Sequence, residues 1–460
     1  MTIRRRELLL GVPAVGAVTL LAGYGRAGVA RASAPGPTGQ LELYSWWTDG
    51  PEQNGLLALL ADFKGRAPLL SCYNGARDSR AAADPQAELA RRLAAGDPPD
   101  SFQCHAGAEL ADLVAAGRLT GLDGLYRQEG WATQFPAALL PRLRSRGGYY
   151  GVPVDIHRAN LLWSNPAVLA RAGADPAPAT VGALVENLRR VAGTGLVPLA
   201  LGGSWSAKHL LETVLLAAVG ADGWPALWHD TAEHGTAEHG TDTRGTDTRG
   251  TDGGDGGWGS RRVTGALHDF RELLALSSHA DPALPGWEDA TALVGSGRAG
   301  YQVMGDWAEG YLRGTLGLRP GLGYDWAAAP GTAGVFQYLS DVFTLAAGAR
   351  HPEAALAWLA ECGSPDGQVA FNGAKGAIPA RTDLPAQARA LFGPYARWSL
   401  DEWRGARIVG SLTHGLVAST AWNARIDAAL EVFLGDRDVP RFQDALAAAA
   451  AASRPSAASG

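Results

Sequence analysis

Two adjacent tryptophans, Trp46 and Trp47, end an apolar run that starts at Leu41 and stops at Thr48-Asp49-Gly50. An indole offers a flat apolar face and a single N–H donor. Read as part of a strand, adjacent residues point to opposite faces, so at least one indole should face a cleft. Asp341 lies in Val335-Phe-Gln-Tyr-Leu-Ser-Asp-Val-Phe-Thr-Leu345. A carboxylate among so many apolar neighbours should be part-buried and then needs donors. These could be ligand hydroxyls, or the backbone or an arginine at a hinge. Lys375, in Phe371-Asn-Gly-Ala-Lys-Gly376, has small neighbours that leave room for a ligand beside the ammonium. The alternative is an exposed loop lysine. His414 sits in an apolar, glycine-bounded run, and Gln103 and His105 share one face of a strand by period two. Each histidine taken alone reads as a core residue. Trp287 and Trp307 could be platforms or packing; Trp131, Trp163, Trp358 and Trp398 read as packing.

Stacking indoles with scattered donors and acceptors suit a neutral polyhydroxylated ring. Reactive motifs are mostly missing: there is no Gly-x-Ser-x-Gly, no His-Glu-x-x-His and no P-loop. Carboxylates are plentiful, so a glycosidase pair is not excluded by counting. Formal net charge is −6, and residues 1–34 hold five Arg against one Glu, so the remainder is more acidic still. That argues against nucleic acid or anionic lipid as partner. Only Lys64, Lys208 and Lys375 are lysines. Cys72, Cys104 and Cys362 form no scaffold pattern; a Cys72–Cys104 bridge across neighbouring strands competes with small buried hydrophobes. No metal site or cofactor is expected.

The elements that must hold these residues alternate. Strand 41–47 precedes helix 52–65; strand 69–73 precedes a helix opened by Asp84-Pro85 and closed by Gly96; strand 100–104 precedes helix 107–116. A second set runs from about 155 to 338, with helices 180–193 and 207–219 and strand 299–304. Repeated β-α-β units predict mostly parallel sheets flanked by helices. The pattern is two α/β lobes joined by hinge crossings, with a cleft between them. The expected first lobe is 38–153 plus 339–381, and the second is 154–338 plus 382–453.

Residues 1–34 read as an export signal. Arg4-Arg-Arg6 precedes an apolar stretch too short to span a membrane comfortably, and Arg5-Arg6-x-Leu-Leu resembles a twin-arginine motif. Tyr24 stands where a lipoprotein signal needs cysteine, so an exported, unlipidated protein is expected. Residues 231–256 repeat Thr-Ala-Glu-His-Gly and Thr-Asp-Thr-Arg-Gly before a glycine run. Without apolar positions they are expected to be disordered, as is the tail 454–460. His229, His234 and His239 read as solvated spacer residues or a weak metal site.

The run of motifs resembles the sugar-binding proteins of bacterial ABC importers, family 1, and within it the glucose/mannose-binding branch. The segments that carry the resemblance are Trp46-Trp47-Thr, Asp97–Gly107, Leu125–Trp131, Val152–Asn160, Met304–Gly310, Leu339–Phe343, Asn372–Gly376 and Val409–Gly415. Each is weak; their joint order is specific. The resemblance implies a periplasmic-binding-protein type II fold and a monomer. It implies an aldohexose such as glucose as ligand, and a membrane permease as partner. It would place Trp46 and Trp47 as aromatic walls, Gln103 and His105 at a strand end, and Trp287 and Trp307 in the second lobe. Asp341, Lys375 and His414 would bind hydroxyls. The acidic residue after the tryptophan pair falls on Glu52, one residue later than in the family. Rival readings are an oligosaccharide receptor, a secreted carbohydrate-active enzyme and a sensor domain.

Overall fold

The computed structural model describes residues 39–78, 84–228 and 257–453. The segments read above as export signal (1–34), polar repeat (231–256, with His229 just before it) and tail (454–460) lie outside the described residues. In chain order the strands are β1 (Gly39–Tyr44), β2 (Leu70–Asn74), β3 (Ser101–His105), β4 (Arg144–Ser145), β5 (Gly148–Tyr149), β6 (Gly151–Pro153) and β7 (His157–Arg158). They continue as β8 (Leu161–Ser164), β9 (Val197–Leu199), β10 (Ala299–Val303), β11 (Asp325–Ala328), β12 (Val335–Leu339), β13 (Asp341–Leu345) and β14 (Arg407–Gly410).

A five-stranded sheet has the order β2-β1-β3-β13-β6, and a four-stranded sheet the order β11-β8-β10-β9. A smaller sheet, β14-β12-β7, contains the chain just after β6 and just before β13. Both large sheets are mixed, not mostly parallel. β1, β2 and β3 are joined through helices and pair in parallel. β13 follows β12 after a single residue, with no helical crossover, and runs antiparallel to β3 and β6. That reversal positions the site. In the antiparallel register Asp341, first in β13, lies opposite His105, last in β3. The ligand end of an open α/β sheet is the carboxyl end of its strands, and the returning strand delivers a carboxylate there.

Local signals set several helix ends as read. Asp84 caps helix Pro85–Ala95 by accepting from the Gln86 and Ala87 amides at 2.9 and 3.2 Å, and Gly96 ends it in the left-handed region at φ 73°. Two ends differ. β1 stops at Tyr44, so Trp46 and Trp47 lie on the turn beyond it. Lys375 is not in a loop but is the last residue of helix Pro365–Lys375.

Trp131, Trp163 and Trp358 are buried packing residues, and half-buried Trp398 stacks under the Arg158 guanidinium at 4.8 Å. Trp228 and Trp258 flank the polar repeat in sequence, and their rings meet at 5.3 Å. Cys72, Cys104 and Cys362 are free thiols, so no bridge joins β2 to β3. No helix among the described residues is long and apolar enough to cross a membrane.

Gly107 locks the end of β3 to the loop that carries His414. Its amide donates to the Arg142 carbonyl at 2.8 Å, and the next two amides donate to Leu416 and Gly415. Its φ is +96°, and a Cβ there would stand 2.6 Å from the Leu416 carbonyl oxygen. Gly107→Ala should therefore lower the unfolding free energy by ~2–4 kcal/mol, read from urea denaturation. An unchanged midpoint would refute this close packing.

Candidate functional site

The turn after β1, the first turn of helix Gly50–Arg66, the end of β3, the start of β13, the end of helix Pro365–Lys375 and loop 411–415 converge on one cavity of about 970 Å³. All ten side chains singled out from the sequence line it: Trp46, Trp47, Glu52, Gln103, His105, Trp287, Trp307, Asp341, Lys375 and His414.

The floor is a charge cluster. Lys375 Nζ lies 3.4 Å from Asp341 Oδ2, 3.7 Å from Glu52 Oε1 and 3.8 Å from Asp155 Oδ2. Its ammonium sits 3.7 Å over the Trp47 ring, a cation–π contact strengthened by desolvation. Trp47 is therefore buried beneath the lysine, and the more open indole at this turn is Trp46, 5.5 Å from the His105 ring. Asp341 Oδ1 accepts from Gln103 Nε2 at 2.8 Å, and Gln103 Oε1 accepts from Ser45 Oγ at 2.6 Å. Burial opposes the Asp341 charge, but Lys375, His105, His157 and the Gln103 bond outweigh it and hold the carboxyl down at about 2. Burial likewise opposes the Lys375 ammonium, and Asp341, Glu52 and Asp155 overcome it, raising the lysine above its ordinary value. Glu52 goes the other way, because burial raises it more than Lys375 lowers it.

Behind the floor a second ion chain ties the sheets together. His157 Nε2 lies 3.0 Å from Asp155 Oδ2, and its Nδ1 makes a short contact with Asp306, just beyond β10. Burial disfavours the charged ring, but Asp155 and Asp306 outweigh it and lift His157 to about 10. It is an imidazolium at neutral pH. Asp306 also accepts from the Arg158 amide at 3.0 Å and the Tyr395 hydroxyl at 3.1 Å.

The walls are aromatic. Trp307 packs against His157, His209, His414, Trp205 and Trp287 with ring centroids 5.2–6.4 Å apart. Its buried indole N–H has no hydrogen-bond partner among the described residues. Trp287 opens helix Trp287–Gly295 and is half-buried. His105 Nδ1 pairs with Glu109 at 2.7 Å, and that acid, with Asp341, raises the ring's pKa despite burial. His414 is pushed well below the usual histidine range by burial and then by His105, His209, His157 and Lys208. The cavity is thus lined by carboxylates, an ammonium and apolar ring faces, and the Lys375 ammonium already meets carboxylates.

Two triads carry metal-ligand atom types: Asp155, His157 and Asp341, and His209, Glu212 and His414. In the first, Lys375 and the His157 imidazolium already supply the positive charge. In the second, amides and a serine occupy the Glu212 oxygens.

Sequence reasoning missed Asp155, His157, Trp205 and Glu212. Asp155 and His157 lie two apart in the Val152–Asn160 run, where a paired acid and imidazole amid apolar residues was the available signal. Trp205 follows Gly202-Gly-Ser at the start of helix Gly203–Gly223, four residues before the helix start read from sequence. It is 41% exposed and lines the cavity. Glu212 is an acid inside an otherwise apolar helical stretch, a pattern that calls for buried donors.

The order of elements and this cleft are those of a binding protein with the type II periplasmic fold. A solved bacterial solute receptor, described as having an exclusive preference for β-D-galactopyranose, superposes with a TM-score of 0.72 at 17% identity, over 90% of this chain and 98% of its own. The family model for bacterial extracellular solute-binding proteins matches residues 79–369. The chain is similar to an uncharacterized ABC transporter extracellular-binding protein of Pyrococcus horikoshii, 29% identical over 94% of each chain. It is also similar to a probable sugar-binding periplasmic protein of Mesorhizobium japonicum, 30% identical over 83% of this chain and 86% of the relative. The chain belongs to the bacterial extracellular solute-binding protein family. It is a binding protein and not an enzyme.

The ion chain predicts a pH signature. His157 is raised from 6.5 to about 10, so its stabilisation is complete below pH 6.5 and is lost as pH rises through the folded value. Asp341 is depressed from 3.8 to about 2, so its contribution is present above 3.8 and is lost as pH falls through the folded value. Between about pH 8.5 and 10, the stability of wild type should fall more steeply than that of His157→Gln, by ~1 kcal/mol per pH unit. Equal slopes in urea titrations would mean that His157 is not held charged.

Proposed function

We propose that this chain is the exported receptor of an ABC importer and binds a neutral monosaccharide, glucose or a similar aldohexose, in the cavity. The observation that carries the reading is the Asp341–Lys375 pair at the floor of an indole-walled cleft. A carboxylate has about four acceptor sites, and Gln103 and Lys375 occupy two on Asp341. The remainder suit sugar hydroxyls, whose C–H faces suit Trp46, Trp287 and Trp307. The Lys375 ammonium and the His157 imidazolium already meet carboxylates of the cluster, which favours a neutral ligand over an anion. The Mesorhizobium relative, a probable sugar-binding periplasmic protein, supports the same reading.

Residues 38–153 plus 339–381 form the first lobe in this proposal, and 154–338 plus 382–453 the second. Ligand contacts from both lobes select the closed state, which a membrane permease reads. A monomer suffices for this mechanism. The twin-arginine-like segment would direct export. One observation favours a larger ligand: the cavity, at about 970 Å³, lies near the upper end of the ~300–1,000 Å³ usual for small-molecule sites.

Calorimetric titration of the mature, sugar-stripped protein with glucose, galactose, mannose, xylose, maltose and cellobiose tests the reading. One-site binding of glucose or a close epimer, with disaccharides silent, is expected. Binding of disaccharides alone would replace the ligand, and no heat with any sugar would overturn the proposal. Asp341→Ala and Trp46→Ala should each abolish the heat while the circular dichroism stays native, since Lys375 keeps Glu52 and Asp155 and Trp46 is only half-buried. Two variants binding like wild type would discard the site.

A further inference from the structure

Behind the cavity wall, Ser411 Oγ stands 3.0 Å from each Glu212 carboxylate oxygen and 2.8 Å from His414 Nδ1. Glu212 is fully buried and fixed in place, since its Oε2 also accepts from the Leu412 and Thr413 amides at 2.7 and 3.0 Å. A serine hydroxyl has one proton and two lone pairs, and an ionised carboxylate only accepts. With Glu212 ionised, as it is above the value near 7 to which burial lifts it, the Ser411 proton goes to Glu212 and its oxygen is left facing His414 Nδ1 as an acceptor. Two lone pairs cannot face each other at that distance, so Nδ1 must carry the ring proton. The His414 amide approaches the same oxygen at 3.4 Å, as it would an acceptor. His414 is neutral, held far below its ordinary value by burial, so a protonated Nδ1 leaves Nε2 bare. Nδ1 is the nitrogen turned to Ser411, which leaves Nε2 for the cavity that the residue lines.

We infer that Glu212, acting through Ser411, fixes the tautomer of His414, so that His414 meets the ligand as a hydrogen-bond acceptor and demands a hydroxyl donor there. Glu212 and Ser411 are positioning residues for the binding site, and the ligand consequence rests on the sugar-binding reading above. The tautomer itself does not.

The arrangement also designs its own test. In Glu212→Met both carboxylate acceptors are gone and a thioether is at most a weak one. The Ser411 proton then turns to His414 Nδ1, 2.8 Å away, and the ring proton moves to Nε2.

Two-bond proton–nitrogen correlation spectra of the ligand-free, histidine-labelled mature protein report the tautomer directly. They would be recorded at about pH 8.5, above the value near 7 to which burial lifts Glu212. His414 is assigned by the peaks lost in His414→Gln. The expected result is the Nδ1–H tautomer in wild type, the Nε2–H tautomer in Glu212→Met, and about tenfold weaker sugar binding by that variant. A wild-type His414 protonated on Nε2, or a Glu212→Met ring unchanged from wild type, would overturn the inference. Should Glu212→Met not fold, the wild-type spectrum decides alone. Failure of the sugar reading shows separately, as no sugar binding by wild type with the tautomers as expected.

Discussion

The structure depends on one demand, which is to bury the Lys375 ammonium with its charge intact. An ion removed from water costs several kcal/mol, and that is offset only where oppositely charged groups surround it in good geometry. Here the groups come from distant parts of the chain: Glu52 from the first turn of one helix, Asp155 from the crossing after β6, and Asp341 from the start of β13. Trp47 supports the ammonium from below. None of these contacts forms unless the antiparallel return of β13 sets Asp341 opposite His105. The fold and the site are therefore one constraint. The His157 imidazolium extends it by joining Asp155, beside the five-stranded sheet, to Asp306, at the end of a strand in the four-stranded sheet.

Much of this was legible because some signals are local. Asp84-Pro85 and Gly96 announce a helix within a dozen residues, and the cap geometry agrees. Asp341 and Lys375 stood out because a charge among apolar or small residues is costly wherever it falls. What each pairs with was not legible, since the partners lie 34 residues or more apart in sequence and a carboxylate carries no mark of its cation. The same holds for Glu212, whose donors Leu412 and Thr413 are some 200 residues away. Pairing direction also escaped, because apolar runs such as those of β12 and β13 look alike in parallel and antiparallel sheets. The end of β1 was misplaced because aromatic character continues past the last ladder bond.

The lysines that line the cavity are each met by a carboxylate, which is what the proposed neutral ligand requires. Two of the three lysines in the chain line it, each beside a carboxylate: Lys375 by Asp341 and Lys208 by Asp427, the latter at 2.7 Å. Aromatic rings close the sides, and a half-exposed Trp205 extends the wall beyond the residues that sequence motifs pointed to.

The most direct test of the account is a crystal structure of the mature protein grown with glucose. The account predicts one pyranose in the cavity, its hydroxyls within hydrogen-bond reach of the Asp341 carboxylate and the Lys375 ammonium, and its ring against indole faces. Sugar density that avoids both charged groups, for example beside Leu89 and Leu430, which also line the cavity, would contradict it.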